Sequence, residues 1–309
     1  MGALGRSAGA PPERVLHFRA MASPCELRVA GAWSQQPQAQ AALAAAQAEV
    51  QRIEQRYSRY QPQSILSRIN AAAGRPEPVA LDAETAGLLH FAQQLYLSSN
   101  GLFDPTSGVL RRVWNFQQAQ PPTPEALAGV LPLIGWGDVE FDGTHLRLPR
   151  PGMELDLGGI GKEYAADRAA TVLLEAGCTS GYVNLGGDVR LLGPQPGGAP
   201  WHLGVAHPRQ AGQVLASLDL AQGALATSGD YERFFIHQGR RYCHILNPHT
   251  GWPVAHWQAV SVVAPACLAA GALATLAMLL QADAPAFLRA QGVTALLVDA
   301  QGAVLRISP

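Results

Sequence analysis

Charge is scarce in this 309-residue chain. Asp, Glu, Lys and Arg make up 15% of it and the formal net charge is −1, against about a quarter charged in an average globular protein. No basic face can be assembled from that balance, which argues against nucleic-acid binding. Nor can it steer an anionic ligand from a distance, so any phosphate site has to be built locally. Cysteine is sparse as well. Cys25, Cys178, Cys243 and Cys267 stand far apart, with no CxxC pair to hold zinc or form a redox dithiol. Four such residues in a chain of this length do not make a disulfide scaffold, and they read as buried or spectator thiols. The opening "MGALGRSAGAPPERVLHF" has no apolar h-region, and Arg6 stands where a myristoylation pattern needs Ser or Thr. The expectation is a cytoplasmic protein; the alternative is a periplasmic one with its leader removed or its start misassigned. One uncharged and largely apolar stretch has the length of a bilayer, residues 259–282. It opens on the β-branched "AVSVVA", breaks at Pro265 and continues as "CLAAGALATLAMLL". A buried strand followed by a buried helix explains it, and no transmembrane segment is expected.

What the chain has is apolar residues, 48% of the total, and glycine, 32 residues. Residues 1–16 read as a disordered N-terminal tail and 17–309 as one domain. "HFRAMASPCELRVAG" (17–31) reads as two strand pieces around a turn at Pro24. Helical patterns follow at 38–60, at 82–101 with Asp82 as N-cap and Gly101 as C-cap, and at 123–135. Ser64 and Asn70 read as caps in the loop between the first two. The second half is strand-rich. "ELDLGG", "GYVNLGGDVRLLG", "WHLGVAHP", "ASLDLAQGALAT", "RFFIHQGRRYCHILNP" and "AVSVVAP" alternate with Gly and Pro turns, and "HQGR" is a hairpin turn. The class is α+β, with a largely antiparallel sheet and flanking helices.

Polar, glycine-bearing clusters sit at the ends of apolar strands: "FDPTSG" (103–108), "DLGGIGK" (156–162), "NLGGD" (184–188), "TSGDYERF" (227–234) and "HILNPHTG" (244–251). Glycine lets a backbone approach a ligand closely, so that N–H groups can point at phosphate oxygens. The segment "ELDLGGIGKEYAADR" adds a helix start near Lys162, whose positive end favours an anion. It matches neither common phosphate loop. Glu163 stands where a Walker A motif needs a hydroxyl, and the spacing Gly158, Gly159, Gly161 is not that of a dinucleotide fingerprint. Each cluster alone is ordinary turn chemistry. Five of them, with one Lys, two His and three Thr, favour a site built from loops.

In order and content these clusters resemble the ApbE family of flavin transferases, which move FMN from FAD onto a protein. The likeness runs from about Phe18 to Val298. It rests on "MASPCELRV", "YSRYQPQSILSRIN", "GLFDPTSGVL", "LDLGGIGKEYAADRA", "YVNLGGDVRLLG", "ATSGDYERFF", "HILNPHTGWPV" and "VSVVAPACLAAGALATLAMLL". The resemblance implies an ApbE-type, T-fold-like, two-lobed architecture with FAD in the cleft. It implies phosphoryl transfer. A Thr or Ser hydroxyl of an acceptor flavoprotein attacks the phosphorus of the FMN half and AMP leaves, with Mg²⁺ assisting. On that basis His244 is the catalytic base. Lys162 and Asp188 belong at the diphosphate, with Gly158, Gly159 and Gly187 in the backbone cradle. Thr227, Ser228, Gly229 and Asp230 form the phosphate and substrate loop, Thr250 in the His244 segment is a further cofactor-binding residue, and Met21, Asp104 and Thr106 are flavin- and adenine-side contacts.

The chain departs from the family pattern in ways that bear on the metal. The family's last motif reads Ala-Asp-Ala-Leu-Ala-Thr, and its Asp and Thr bind Mg²⁺ together with a loop carbonyl. Here the stretch is Ala270-Gly271-Ala272-Leu273-Ala274-Thr275. Thr275 and the Gly161 carbonyl remain as ligands and the carboxylate is missing, although hard Mg²⁺ prefers carboxylate oxygen. The family's Gly after the lysine is here Glu163. Two readings stand side by side. Glu163 supplies the carboxylate from across the site, or it is a solvated helix-start glutamate favoured by the helix dipole. Asn247, where the family has Asp, caps its turn nearly as well. Two further functions remain open: an FAD-binding protein that has lost transfer because position 271 is Gly, and a pyrophosphatase that splits FAD to FMN and AMP.

Overall fold

The computed structural model describes residues 11–309. β1 (Glu13–Ala20) and β2 (Ser23–Ala30) form an antiparallel hairpin. Met21 and Ala22 make its two-residue turn, both left-handed with φ 51° and 59°, as a type I′ turn requires. Pro24 therefore lies inside β2, opposite Arg19, and not at the turn. Of the segment read as a tail, residues 1–10 lie outside the described residues. Residues 13–16 belong to β1, held there by pairing with residues 27–30.

The helical half follows. α1 (Gln38–Tyr57) buries Leu43, Val50 and Ile53 on one stripe. α2 (Ile65–Ala71) starts on the Ser64 hydroxyl, which accepts the Ser67 N–H. β3 (Val79–Ala80) precedes α3 (Ala83–Ser98), whose Asp82 cap accepts the Thr85 N–H as its sequence position implies. A 3-10 segment spans Pro105–Arg112. α4 (Pro124–Val130), β4 (Glu140–Phe141) and β5 (His145–Arg147) complete this half, β5 pairing with both β3 and β4.

Residues 154–160 join no strand, contrary to the apolar reading of "ELDLGG". Their backbone is claimed by other partners. The Asn70 side chain donates to the Leu155 carbonyl and accepts the Leu155 N–H, and the Asp156 N–H reaches the Pro105 carbonyl. Asn70 is thus a brace between segments and not a helix cap.

After this loop come α5 (Gly161–Glu175), β6 (Gly181–Leu185), β7 (Asp188–Gly193), β8 (Trp201–Ala206), β9 (Val214–Leu220), β10 (Ala224–Gly229), β11 (Phe234–His237), β12 (Arg240–Cys243) and β13 (Trp257–Ala264). α6 (Cys267–Leu280), α7 (Ala284–Ala290), β14 (Thr294–Asp299) and β15 (Val304–Ile307) close the chain. The main sheet is antiparallel throughout, in the order β1-β2-β6-β7-β10-β13-β14-β15. β8–β9 and β11–β12 are separate hairpins, and Gln238–Gly239 forms the turn of the second with positive φ at both residues.

α5 packs on α1, β6 and β7; α6 packs on β10, β13 and α5. Two apolar clusters result, one around Leu27, Leu43, Ile53, Leu89 and Leu173, the other around Val260, Val262, Met278 and Leu297. α6 serves both: Cys267, Ala272 and Leu276 face the first, Ala274, Ala277 and Met278 the second. The 259–282 run is therefore a sheet strand and a core helix joined at Pro265. All four cysteines are free and buried, as expected of spectator thiols.

No side chain at the start of α6 caps it. The cap comes from α5, where the two Asp167 carboxylate oxygens accept the N–H groups of Cys267 and Leu268 at 2.9 and 2.8 Å. Asp167 also faces Arg190 at 3.2 Å. Asp167→Ala should destabilise the fold by about 1–2 kcal/mol, the upper part of the range for a lost helix cap, and Asp167→Asn by less because one acceptor survives. Chemical denaturation measures both. A loss below about 0.5 kcal/mol for the alanine variant would contradict the cap.

Candidate functional site

α5 begins without a side-chain cap; the Gly161 N–H is taken by the Leu157 carbonyl at 2.8 Å. The "DLGGIGK" loop brings Lys162 there. The Lys162 ammonium lies 2.7 Å from Asp188 Oδ2. Asp188 is positioned by the Gly186–Gly187 turn between β6 and β7, where both glycines take positive φ (62° and 99°). A Cβ at Gly186 would meet Ser23 at 2.8 Å, so the β1–β2 hairpin presses on this turn from outside. The second Asp188 oxygen accepts the Thr227 N–H on β10 at 3.1 Å. Burial alone would lower the Lys162 pKa. The Asp188 and Glu163 carboxylates more than reverse that, and the ammonium stays charged.

Glu163, next on α5, is buried at 7% exposure. The solvated helix-start reading is therefore wrong. Its side chain turns inward against α6, where Gly271 leaves room: a Cβ there would stand 2.4 Å from Glu163 Cγ and 2.8 Å from Oε1. Burial pushes the Glu163 carboxyl well above the usual carboxylate range; the Asp188 charge adds to this and Lys162 offsets only part. Oε2 of Glu163 is buried with no hydrogen-bond partner.

Three further elements meet this corner. On β10, the Thr227 hydroxyl pairs with Ser261 on β13 at 2.7 Å, and the Ser228 hydroxyl with Thr275 on α6 at 2.9 Å. Past β12, the His244 N–H and Nδ1 both face the Arg233 carbonyl, at 3.0 and 3.3 Å. A carbonyl only accepts, so Nδ1 carries the proton and Nε2 the lone pair. Crowding by protein lowers the His244 pKa from its ordinary value, and the Arg233 and Lys162 charges act in the same direction. The residue is still exposed to solvent, so the ring is hemmed in without being sealed. The result is a neutral imidazole at neutral pH. Lys162 and Asp188 also lie close enough to Tyr231 to act on its phenol, which burial pushes up to about 12.

Of the residues expected from the sequence, Lys162, Glu163, Asp188, Thr227, Ser228, His244 and Thr275 thus come together. Gly161, the first residue of α5, and Gly187, at the turn preceding Asp188, adjoin them. Gly158 and Gly159 belong to the loop, where the Gly158 N–H is held by Asp156 and Gly159 lies on the Phe103 ring. Met21 sits at the strained hairpin tip, its N–H donated to Glu54 at 2.6 Å.

Other expected residues have their side chains engaged within the protein. Asp104 and Thr106 are buried and bound to one another, and they accept the backbone N–H groups of Trp136 and Gly135. Their side chains act as internal braces between the 104–106 and 135–136 segments. Both Asp230 oxygens are gripped by Arg209, at 2.6 and 2.7 Å, which ties the β8–β9 loop to the end of β10. Gly229 is required by packing, since a Cβ would stand 2.3 Å from the Tyr231 ring. Thr250 is exposed and its hydroxyl accepts the Trp252 N–H, with no contact to the corner.

The sequence reading missed several supports. Arg59 pairs with Asp156 and steadies the glycine loop. Asp167 caps α6, and Arg209 closes on Asp230. Asp156 and Asp167 flank Lys162 within the quoted motif and were findable there; Arg209 carries no local signal. Two surface depressions, one bordered by Arg68 and Arg75 and one by Glu49, Arg52 and Arg168, lie on other faces and contain none of these residues.

The corner fits a hard divalent cation, which takes carboxylate, hydroxyl and carbonyl oxygens. Glu163 Oε2 is a buried oxygen without a partner, and the Thr275 and Ser228 hydroxyls are adjacent to each other. Among the described residues no group of three or more His, Cys, Asp and Glu gathers as a metal cluster, here or elsewhere, so an ion at this corner would rest on one carboxylate with hydroxyl and carbonyl oxygens.

Known proteins resemble this chain in sequence and in fold. The profile of the ApbE family matches residues 21–302. An FAD:protein FMN transferase of Treponema pallidum is 34% identical over 83% of this chain and 75% of its own length. One of Chlamydia pneumoniae is 33% identical over 74% of this chain and 72% of its own. Among solved structures, an ApbE protein from Thermotoga maritima superposes with a TM-score of 0.88 at 33% identity, covering 96% of this chain and 97% of that one. The flavin transferase ApbE of Vibrio cholerae gives 0.84 at 26% identity, with the same coverage.

The packing of Glu163 on Gly271 is testable by stability alone. Gly271→Ala should gain about 1 kcal/mol of helix propensity in a Glu163→Ala background, and lose that gain or more when Glu163 is present. Denaturation of the two single variants and the double should show a coupling of about 0.5–3 kcal/mol. Additive effects would mean that the two side chains do not share this space.

Proposed function

The chain belongs to the ApbE family, and from that premise we propose that it transfers FMN from FAD to a Thr or Ser hydroxyl of an acceptor flavoprotein, releasing AMP, with Mg²⁺ at the diphosphate. The observation that carries the reading is the Lys162–Asp188 ion pair at the start of α5, with Asp188 buried and its second oxygen on the Thr227 amide.

The acceptor hydroxyl is a poor nucleophile until its proton is removed. His244 Nε2 has the free lone pair to take that proton, and the Arg233 carbonyl fixes the ring through Nδ1. The hydroxyl oxygen bonds to the phosphorus of the FMN half, and the phosphorus–oxygen bond to the AMP half breaks. AMP departs with the bridging oxygen and the bonding pair, and the proton rests on His244. Lys162 places a permanent positive charge beside the diphosphate, and Asp188 holds it in position. The first-turn amides of α5 point the same polarity at the phosphates. Thr275 and the Gly161 carbonyl would hold a divalent ion here, where it would neutralise charge on the diphosphate.

Incubation with FAD, Mg²⁺ and an acceptor domain should give AMP together with a flavin-mass adduct on the acceptor. AMP without adduct would replace the transferase by a pyrophosphatase; bound flavin with neither product would replace it by a carrier. His244→Ala should lower transfer by about 10²–10⁴-fold, the usual share of general-base catalysis, and leave FAD binding in place.

The pH profile follows from the direction of the His244 shift. A lowered pKa means that the imidazolium loses its proton at lower pH, so the base form persists further into acid. The kcat/KM for transfer should stay level on acidification through pH 6.5, the ordinary histidine value, and fall only below it. A fall centred above that value would remove His244 as the base.

A further inference from the structure

We infer that Glu163 is the carboxylate donor to the divalent cation of this site, reaching it from α5, and that position 271 is glycine because the Glu163 side chain occupies the space a side chain there would need. The inference deepens the transferase reading by naming the ligand through which this chain holds its ion.

Four observations converge. Glu163 is buried although it stands in the first turn of a helix, where water and the helix dipole would suit an exposed carboxylate. Its Oε2 has no hydrogen-bond partner, and a buried carboxylate oxygen without a partner calls for a cation or a proton. The side chain lies against α6 at Gly271, where a Cβ would stand 2.4 Å from Cγ, 2.8 Å from Oε1 and 2.9 Å from Cδ. Thr275 is four residues further along α6 and so projects from the same helical face. Its hydroxyl is 2.9 Å from that of Ser228. A carboxylate and two hydroxyls therefore border one corner, the donor types that hard divalent cations select.

A competing role for Glu163 is to neutralise Lys162. Asp188 already does that at 2.7 Å. Within the protein the carboxyl has its own backbone amide and Asp188 to interact with; Asp188 is itself a carboxylate and cannot neutralise it, and Oε2 is left without a partner. What remains is a negative group whose partner comes from solution.

The test uses the full chain with Mn²⁺ as probe, read by electron paramagnetic resonance of free and bound ion. Glu163→Gln keeps the shape and removes the charge. It should weaken Mn²⁺ binding by at least roughly 10–100-fold, a loss that even outer-shell partners of a metal can produce, while metal-free FAD binding, followed by flavin fluorescence, stays near the parent value. Glu163→Gly should be equally weak, and Glu163→Gly with Gly271→Asp, which moves the carboxylate to α6, should recover Mn²⁺ affinity to within a few-fold. Parent-like Mn²⁺ affinity in E163Q overturns the inference, as does a folded E163G/G271D chain that binds no better than E163G. If the double variant does not fold, E163Q decides. A parent chain that binds no Mn²⁺ but still yields the flavin adduct overturns the ligand assignment alone. Intact, Glu163-dependent Mn²⁺ binding without adduct overturns the transferase reading and leaves the ligand assignment standing.

Discussion

Asp188 has to satisfy two partners at once, and much of the site is arranged so that it can. One oxygen meets the Lys162 ammonium and the other receives the Thr227 amide. A side chain 3% exposed cannot carry a bare charge at low cost. Its position is therefore over-determined: the Gly186–Gly187 turn delivers it, the β1–β2 hairpin presses on that turn, and β7 pairs with β10 immediately beyond it. Removing either partner of the pair would leave an uncompensated buried charge, which is far more costly than never having had the pair. The pair also sets the spacing between α5 and β10, the two elements that carry most of the remaining site residues.

The other constraint is the contact of α5 with α6. Asp167 supplies both acceptors for the first amides of α6, and one turn earlier Glu163 lies on Gly271. The helix that bears Lys162 therefore fixes the height and rotation of the helix that bears Thr275. α6 is apolar on nearly all sides because it lies between two cores. It can be rotated only by disturbing both, which makes it a rigid place from which to present one hydroxyl.

Most elements were legible in the sequence because local rules and tertiary packing agree there. Ser64 and Asp82 cap the helices that follow them, and Gln238–Gly239 turns its hairpin as written. Failures occur where a local pattern is overruled from a distance. Pro24 looked like a turn, but the φ angles of Met21 and Ala22 place the turn ahead of it. "ELDLGG" has strand composition, yet its backbone partners are an asparagine 85 residues away and the Pro105 carbonyl. The site divides in the same way. Lys162, Asp188 and His244 could be read from motif order. That Asp104, Thr106 and Asp230 spend their oxygens inside the protein could not, because Gly135, Trp136 and Arg209 lie in segments without a pattern. The environment of Glu163 was half legible: the carboxylate gained at 163 and the glycine at 271 suggested a reach across the site, but only the burial of Glu163 against α6 separates that from a solvated helix start.

Charge counting joins these points. Lys162 and Asp188 cancel, which leaves the corner with the charge of Glu163 when that group is ionised. The chain as a whole, at −1, supplies no compensating field. Desolvation and Asp188 oppose that ionisation, so the carboxylate is stable in its charged form only beside a positive partner. An aspartate at 271 added to Glu163 would press two carboxylates into one buried space; glycine at both positions would leave hydroxyls and carbonyls alone to face an ion. One carboxylate, from one side or the other, is the arrangement that avoids both costs. Residues 163 and 271 therefore behave as a single position shared by two helices.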